Sequence, residues 1–489
     1  MSSDTTRVRF APSPTGYLHI GGARTALYNF LYARHTGGQM LLRIEDTDRK
    51  RYRPDAQEQL MDNLRWLEIS WDEGPDVGGL FAPYIQSERA DWHRECGQKL
   101  VSIGQAYHCF CKVERLQELQ RSRKSYDGRC RELAPSATRQ RAESGEEHVI
   151  RFRSPKDDST TVHDLIRGEI TVRNVQLDDF VLMKSDGFPV YHLAAMADDH
   201  AMGITHVIRG EEWLPSLPKH ALIMRALGWR EPIWCHLSVL KKPGAKGKMS
   251  KRDSQQRSKT EGHSIFIHEL RALGYIPEAV VNWMALMGWS MDDRREDFTI
   301  SELQQVFTLQ RLNPSPATVD FSKLDYFQGK RMRQLSAAEI AAGIKPHLMS
   351  AGLQPDDATL LKIAPLIQER IGTFEEAPQW AGFFFRQDVS PDPADLVAKK
   401  LSPAESLEAL LQVQKTLATL HTFEREPVEQ ALRTLAEGLE LKLGQLLTPV
   451  RVAISGQRIS PPLFETLEIL GRQVALQRME NAARLLKDL

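Results

Sequence analysis

One histidine followed by paired glycines carries the first chemical signal in this chain. Tyr17-Leu-His-Ile-Gly-Gly22 comes directly after the breaker cluster Ala11-Pro-Ser-Pro-Thr-Gly16 and directly before a segment with helical spacing. Glycines at such a turn let a ligand approach the backbone, and a helix start offers unpaired N–H groups and a positive dipole end to phosphate. His19 would then stand beside that phosphate, with Gly21 and Gly22 as backbone contacts. The second signal is Lys241 to Arg252, in which six of twelve residues are Lys or Arg and none is acidic. A Gly-containing loop of that composition brings concentrated positive charge to a polyphosphate. It is not a P-loop, because Gly247-Lys248 is followed by Met249. A dinucleotide oxidoreductase is disfavoured too, since Gly16 to Gly22 does not supply G-x-G-x-x-G.

The elements that must position these groups follow from periodicity. Arg7 to Phe10 is short and β-prone, Gly21 to Ala33 carries apolar residues at helical spacing, and Met40 to Ile44 is a second strand. Strand, helix and strand joined through a Gly/Pro-rich loop make a βαβ unit, so the spacing predicts a parallel sheet with its site at the strands' carboxyl ends. Pro12 to His19 and Glu45 to Asp48 both fall there. After helices at 55–67 and 87–103 the chain turns polar and Arg-rich, with strands expected at 148–153, 169–173 and 179–184, which reads as an insertion. Strands at 205–209 and 233–239, with a helix at 217–227 between them, close a second βαβ half. Beyond about Ile265 nearly every periodic segment is helical, including 277–287, 302–307, 337–342, 405–420, 427–437 and 464–489.

Composition bounds the answer. The chain has 489 residues, enough for roughly three or four domains. Its 64 basic and 64 acidic side chains cancel, so net charge gives no pointer to nucleic acid, although a local basic face would be hidden in that sum. Five cysteines do not make a disulfide scaffold at this length. No apolar run reaches the roughly 18 to 20 residues of a membrane span, and the polar start has no signal-like segment, so the expectation is a cytoplasmic protein with no membrane partner.

Taken together, the two signals resemble the paired signatures of class I aminoacyl-tRNA synthetases. Ala11 to Gly16, His19 to Ala23, Arg43-Ile-Glu-Asp-Thr-Asp48, Tyr191-His-Leu-Ala194, Asp198-Asp-His200, Val207 to Trp213 and Lys248 to Arg252 resemble the bacterial glutamyl-tRNA synthetases in order and spacing. The resemblance runs from Arg7 to the C-terminus and is dense in motifs up to Trp289. Two positions depart from the general class pattern: Gly22 replaces the second His of the first signature, and Arg252 replaces the final Ser of the second. The implied fold is α/β, a class I synthetase Rossmann-type parallel sheet catalytic domain with an inserted α+β subdomain, followed by an all-α C-terminal anticodon-binding region. The implied boundaries are 1–108 and 186–240 for the two catalytic halves, and 109–185 for an acceptor-stem-binding insertion. Residues 241–328 would hold the Lys248-Met-Ser-Lys-Arg252 loop and a helical stem-contact domain, and 329–489 the anticodon-binding domain.

The resemblance implies a ligase that activates L-glutamate with ATP and Mg²⁺ and transfers it to the terminal adenosine of tRNA(Glu), working as a monomer. The implied catalytic groups are His19, Lys248 and Lys251, with Lys251 on the pyrophosphate. ATP would also meet Gly21, Gly22, Glu212, Met249, Ser250 and Arg252. Glutamate has two carboxylates and one ammonium, so Arg9 and Arg209 are its candidate cations, since a guanidinium grips a carboxylate with two hydrogen bonds. Glu45 is the candidate for the ammonium, and Ala11, Ser13 and Tyr191 line the same pocket by resemblance. Cys109, Cys111 and Cys130 stand where some members carry a structural Zn²⁺ site, with Glu132 or Tyr126 as fourth ligand. Arg370 stands where some members read the third anticodon base. Two alternatives remain open in the sequence: a form that also charges tRNA(Gln) with glutamate, and a non-catalytic tRNA-binding paralogue.

Overall fold

The computed structural model describes residues 5–48, 53–122, 125–242 and 263–489. They form two compact units, one from the described residues of Met1–Leu270 with Pro277–Leu324, the other from Arg271–Ile276 with Asp325–Leu489.

The first unit opens with β1 (Arg7–Phe10), α1 (Ile20–His35) and β2 (Gln39–Leu42). α1 buries Ile20, Ala23, Ala26, Leu27, Phe30 and Leu31, the helical stripe that drives its packing. β1 and β2 are parallel, Arg9 opposite Leu41 and Phe10 opposite Leu42. Backbone pairing runs on past the strand ends, with Arg43 N–H donating to Phe10 O at 3.0 Å and Glu45 N–H to Pro12 O at 3.0 Å. That extension holds the Ala11 to Ser13 loop alongside Arg43 to Glu45.

Next come α2 (Pro54–Trp66), α3 (Ala90–Ser102), β3 (Ala106–Cys109), α4 (Val113–Arg121) and α5 (Pro135–Glu143). They are followed by β4 (Val149–Phe152), β5 (Ser159–Asp164), β6 (Gly168–Arg173) and β7 (Val181–Met183). β3, β4 and β7 make an antiparallel sheet of their own. The second half supplies α6 (Tyr191–Ala201), β8 (His206–Gly210), α7 (Leu217–Ala226) and β9 (Ile233–Leu237). β8 and β9 are parallel, with Ile208 opposite Cys235 and Arg209 opposite His236. β5 joins β9 in parallel at Asp164 and Trp234, and β6 closes that sheet as an antiparallel edge. The parallel sheet expected from the sequence therefore ends in a hairpin, and that hairpin comes from the segment read as an insertion. β1 meets β8 where Thr205 N–H donates to Arg7 O at 2.9 Å, so the carboxyl ends of β1, β2 and β8 open to the same side.

The unit is completed by β10 (Leu240–Lys241), α8 (Ile267–Ala272), α9 (Pro277–Ala285), α10 (Ile300–Val306) and β11 (Ala317–Thr318), β10 and β11 pairing in parallel. From α11 (Phe321–Met332) onward the chain is helical, running through α12 (Ala337–Ser350), α13 (Asp357–Ile367), α14 (Ala377–Ala381), α15 (Pro393–Leu396), α16 (Pro403–Ala418), α17 (Arg425–Gly438), α18 (Leu443–Ser455) and α19 (Leu463–Lys487). Ser336 with Glu339 and Ser402 with Glu405 form capping boxes that satisfy the first N–H groups of α12 and α16. α12 continues eight residues beyond the expected end at Ala342, with Pro346 inside it. α19 is interrupted at Gly471, whose φ of 76° is left-handed, where the sequence pattern predicts an unbroken helix. No helix of the described residues is long and apolar enough to cross a membrane.

Candidate active site

A cavity of about 740 Å³ lies at the carboxyl ends of β1, β2 and β8. His19, Gly21 and Gly22 line one part of it; Arg9, Ala11, Ser13, Glu45, Tyr191, Arg209 and Glu212 line the rest. Lys248, Met249, Ser250, Lys251 and Arg252 lie outside the described residues.

His19 is the N-cap of α1. Its Nδ1 accepts from Gly21 N–H at 3.1 Å and Gly22 N–H at 3.2 Å. An ideal Cβ at Gly21 would sit 3.0 Å from the ring, so glycine lets the imidazole fold back over the helix start. The two N–H groups expected to meet phosphate are thus already satisfied by the ring, and Nδ1, as acceptor, carries no proton. Ile265 and Phe266 cross this turn, with Ile20 N–H donating to Ile265 O at 2.8 Å.

The charged floor is built by two acidic neighbours on α6. Arg9 grips Asp199 with two bonds, Nε to Oδ1 at 3.0 Å and Nη2 to Oδ2 at 3.2 Å. Arg43, fully buried, bridges Asp199 (2.8 Å) and Glu45 (2.9 Å). Burial opposes the Arg43 charge, but Asp199, Glu45 and Asp198 outweigh it and hold the guanidinium above its ordinary value. Burial pushes the Glu45 carboxyl up, against the pull of Arg43. Asp198 is held in turn by Arg89 at 2.7 Å, His93 at 2.8 Å and Gln86 at 2.9 Å.

Arg209 is treated differently. It is 5 % exposed and meets no carboxylate at ion-pair distance among the described residues. Its N–H groups go to His236 Nε2 at 3.0 Å, His220 Nδ1 at 3.0 Å and Tyr191 Oη at 3.2 Å. Burial lowers its affinity for the proton, and Tyr191 works against that. Trp213 packs against Tyr191, ring centres 4.1 Å apart and planes tilted by 31°. Gly210 leaves room for Glu212, whose Oε2 would lie 2.3 Å from a Cβ there.

The structure thus brings every described residue of the expected ATP and glutamate sites to one cavity, and it adds groups the sequence reading did not assign. Arg43, Asp198 and Asp199 sit inside conspicuous sequence blocks but carry no role there, because their partners are distant in the chain. His220, His236 and Asp164 have no local signal at all; they become neighbours only when β5, α7 and β9 pack. Chemically, the cavity offers a buried, uncompensated cation, a carboxylate that can take an ammonium, and a capped helix start. That set suits a zwitterion bearing an extra carboxylate.

Away from the cavity, Cys109, Cys111 and Cys130 bring their Sγ atoms within 4.8 Å of one another. The Tyr126 hydroxyl lies 3.3 Å from Cys109 Sγ and 3.9 Å from Cys111 Sγ. Glu132, the other candidate fourth ligand, turns to solvent with its side chain 82 % exposed, near Arg131 and Arg153 at 3.6 and 3.8 Å. Three sulfurs gathered this closely are a donor set that suits a soft divalent metal such as zinc, and the Tyr126 oxygen is the next polar atom beside them. Of the two fourth ligands the resemblance left open, Tyr126 lies beside the sulfurs and Glu132 does not. In the helical unit Arg370 lies in the turn after α13, exposed, its guanidinium 5.5 Å from the Trp380 ring centre.

Comparison with known proteins agrees over the whole length. Residues 5–326 match the family model described as tRNA synthetases class I (E and Q), catalytic domain, and residues 339–483 match an anticodon binding domain. The chain is 43 % identical over 499 residues to the glutamate–tRNA ligase of Dehalococcoides mccartyi (strain CBDB1), spanning 100 % of this chain and 99 % of that one. It is 44 % identical over 493 residues to that of Roseiflexus sp. (strain RS-1), spanning 97 % and 96 %. A crystal structure of a glutamate tRNA ligase from Elizabethkingia meningosepticum in complex with its amino acid superposes with a TM-score of 0.87 at 35 % identity, covering 98 % of this chain and 99 % of that chain. On fold, site and full-length similarity alike, this chain belongs to the class I tRNA synthetases of the glutamate and glutamine (E and Q) group.

Proposed function

We propose that this chain is a glutamate–tRNA ligase, activating L-glutamate with ATP and joining it to tRNA(Glu). Its full-length relatives carry that name, and the carrying observation in the site is Arg209, a buried guanidinium facing the cavity without a carboxylate of its own. In this reading Arg209 meets the side-chain carboxylate, Glu45 takes the ammonium, and Arg9, set by Asp199, completes the pocket with Ala11, Ser13 and Tyr191. A carboxylate oxygen of glutamate attacks the α-phosphorus of ATP, the bond to the bridging oxygen breaks, and pyrophosphate leaves. A ribose hydroxyl of the terminal adenosine then attacks the acyl carbon and expels AMP. Negative charge grows on the phosphates in the first step, so the work is positioning and electrostatic stabilisation. His19 and, on family grounds, Lys248 and Lys251 serve that step, with Mg²⁺ arriving on ATP. Glu212 is assigned to the adenosine.

The test is charging of purified tRNA(Glu) and tRNA(Gln) in parallel with labelled glutamate, ATP and Mg²⁺. Charging of tRNA(Glu) alone supports a discriminating ligase, charging of both adds tRNA(Gln) to the substrates, and charging of neither ends the catalytic reading.

A structural zinc held by Cys109, Cys111, Cys130 and Tyr126 would tie β3 to the 126–130 segment, supplying a cross-link in place of an apolar core. Full-length protein is expected to carry one zinc per chain. Cys130→Ala should lose it, Tyr126→Phe should weaken retention against chelator by roughly ten-fold or more, and Glu132→Ala should leave it unchanged. Metal analysis after chelator titration checks this; zinc lost from Glu132→Ala but kept by Tyr126→Phe would reverse the ligand assignment.

Arg370, stacked on Trp380 with Arg451 nearby, is assigned to an anticodon base. A bidentate guanidinium contact to a base edge is worth about 1–3 kcal/mol of discrimination. Arg370→Gln should therefore narrow the preference for tRNA(Glu) over tRNA(Gln) by roughly 5- to 100-fold, read as the ratio of kcat/KM values. An unchanged ratio would remove Arg370 from recognition.

A further inference from the structure

The hydrogen bonds around Arg209 fix the protonation state of a whole histidine cradle. A guanidinium can only donate, so His236 Nε2 and His220 Nδ1 must both be unprotonated acceptors. His236 then carries its proton on Nδ1, where Asp164 Oδ2 takes it at 2.7 Å. His220 carries its proton on Nε2, 3.0 Å from His192 Nδ1, which accepts it. Both His220 and His236 are fully buried. The other cavity guanidiniums contrast with this: Arg9 is matched to Asp199, and Arg24 donates to the Met287 and Ser238 carbonyls. Arg209 alone among them is held rigidly by two imidazoles and a phenol, groups that orient a cation without cancelling its charge.

We propose that His220 and His236 are specificity-determining positioning residues: neutral acceptors that lock Arg209 in place and keep its charge uncompensated, so that the site demands an anionic side chain and rejects the neutral amide of the same shape. This inference rests on the glutamate reading above and deepens it. A carboxylate in the place of either imidazole would orient Arg209 equally well, but it would satisfy the charge and so remove the penalty for leaving the arginine without an anion. Asp164 supports the device at one remove, fixing the His236 tautomer while standing a full ring away from the guanidinium. Burial, aided by Arg209, keeps His220 well below the usual imidazole range, and burial lowers His236 against the pull of Asp164.

The experiment compares isosteres on the full chain. In His220→Asn the amide oxygen takes the position of Nδ1 without charge; in His220→Asp the same position becomes anionic. His236→Gln and His236→Glu form an independent pair should either His220 variant fail to fold. Glutamate and glutamine are measured as competing substrates for charging, and their direct binding to each variant by calorimetry. The neutral variants should lower use of both amino acids together, moving the glutamate to glutamine ratio by less than about 5-fold, while the anionic variants should collapse that ratio by on the order of 10²-fold through KM for glutamate. Equal shifts of the ratio in neutral and anionic members of both pairs, or no shift in either, would overturn the proposal. A parent chain that binds glutamate over glutamine yet charges no tRNA would fault the ligase reading and leave the cradle to be judged by binding; one that binds neither would end both.

Discussion

Arg209→Gln should reduce kcat/KM for glutamate by about 10²- to 10³-fold, with most of the loss in KM. The reason is the absence of any competing anion. Arg209 is buried, held by three neutral partners, and faces the cavity, so its whole charge is available to the substrate. Truncating one member of a buried, hydrogen-bonded charge pair costs about 2–5 kcal/mol, and the middle of that span is about 10²- to 10³-fold. On the proposed reading the loss falls on binding, because the side-chain carboxylate is not the reacting group and would meet Arg209 equally in the ground and transition states. Steady-state charging kinetics over a wide range of glutamate concentration separate KM from kcat. A change of less than about 5-fold would mean that the carboxylate is held elsewhere, Arg9 being the next cation in the cavity.

Arg43→Met should destabilise the catalytic unit by about 3–5 kcal/mol. Arg43 is completely buried and faces three carboxylates: Glu45 at 2.9 Å, Asp199 at 2.8 Å and Asp198 at 4.0 Å. Methionine fills most of the volume and supplies no charge. Asp198 would keep Arg89 and Asp199 would keep Arg9, but Glu45 would lose its only ion-pair partner among the described residues. A buried carboxylate in that position takes up a proton, and then it no longer attracts an ammonium. Loss of stability should therefore come with a raised KM for glutamate even at temperatures where the variant is folded. Urea unfolding followed by tryptophan fluorescence measures the first effect, charging kinetics the second. A variant within 1 kcal/mol of the parent would show that the network is dispensable to the fold.

Both predictions rest on residues that differ in how visible they were before the fold was known. Arg9, Glu45 and Arg209 lie at the ends of β1, β2 and β8, and strand-end positions in a βαβ array are where a ligand site is expected. His19 was equally visible, because a histidine before two glycines at a helix start is a local pattern. What the sequence concealed about His19 was its partner: the ring bonds the Gly21 and Gly22 N–H groups itself, a contact decided by a side-chain rotamer. β5 gives no strand signal in the sequence, for a different reason. Its inward-facing positions include Thr160, bonded to Asn174, and Asp164, bonded to His236, so the strand shows no apolar alternation even though it is buried on one face. The break of α19 at Gly471 leaves no trace in the periodicity, because a single left-handed glycine keeps the apolar spacing on either side intact.

The family, the α/β catalytic region followed by a helical region, and the residues that line the cavity were all legible in the chain itself, since these depend on local pattern: strand ends, a helix start, runs of charge and helical periodicity. Only the tertiary structure decided how those residues are charged and held. Whether an arginine is paired or free depends on contacts between residues 9 and 199, 43 and 199, or 209 and 236, separated by up to 190 positions. Coulomb interaction and hydrogen bonding act over a few ångströms of space, whatever the distance along the chain. The same holds at the cysteine cluster, where the family resemblance left Glu132 and Tyr126 both open and the folded chain turned one side chain outward to solvent and the other toward the sulfurs.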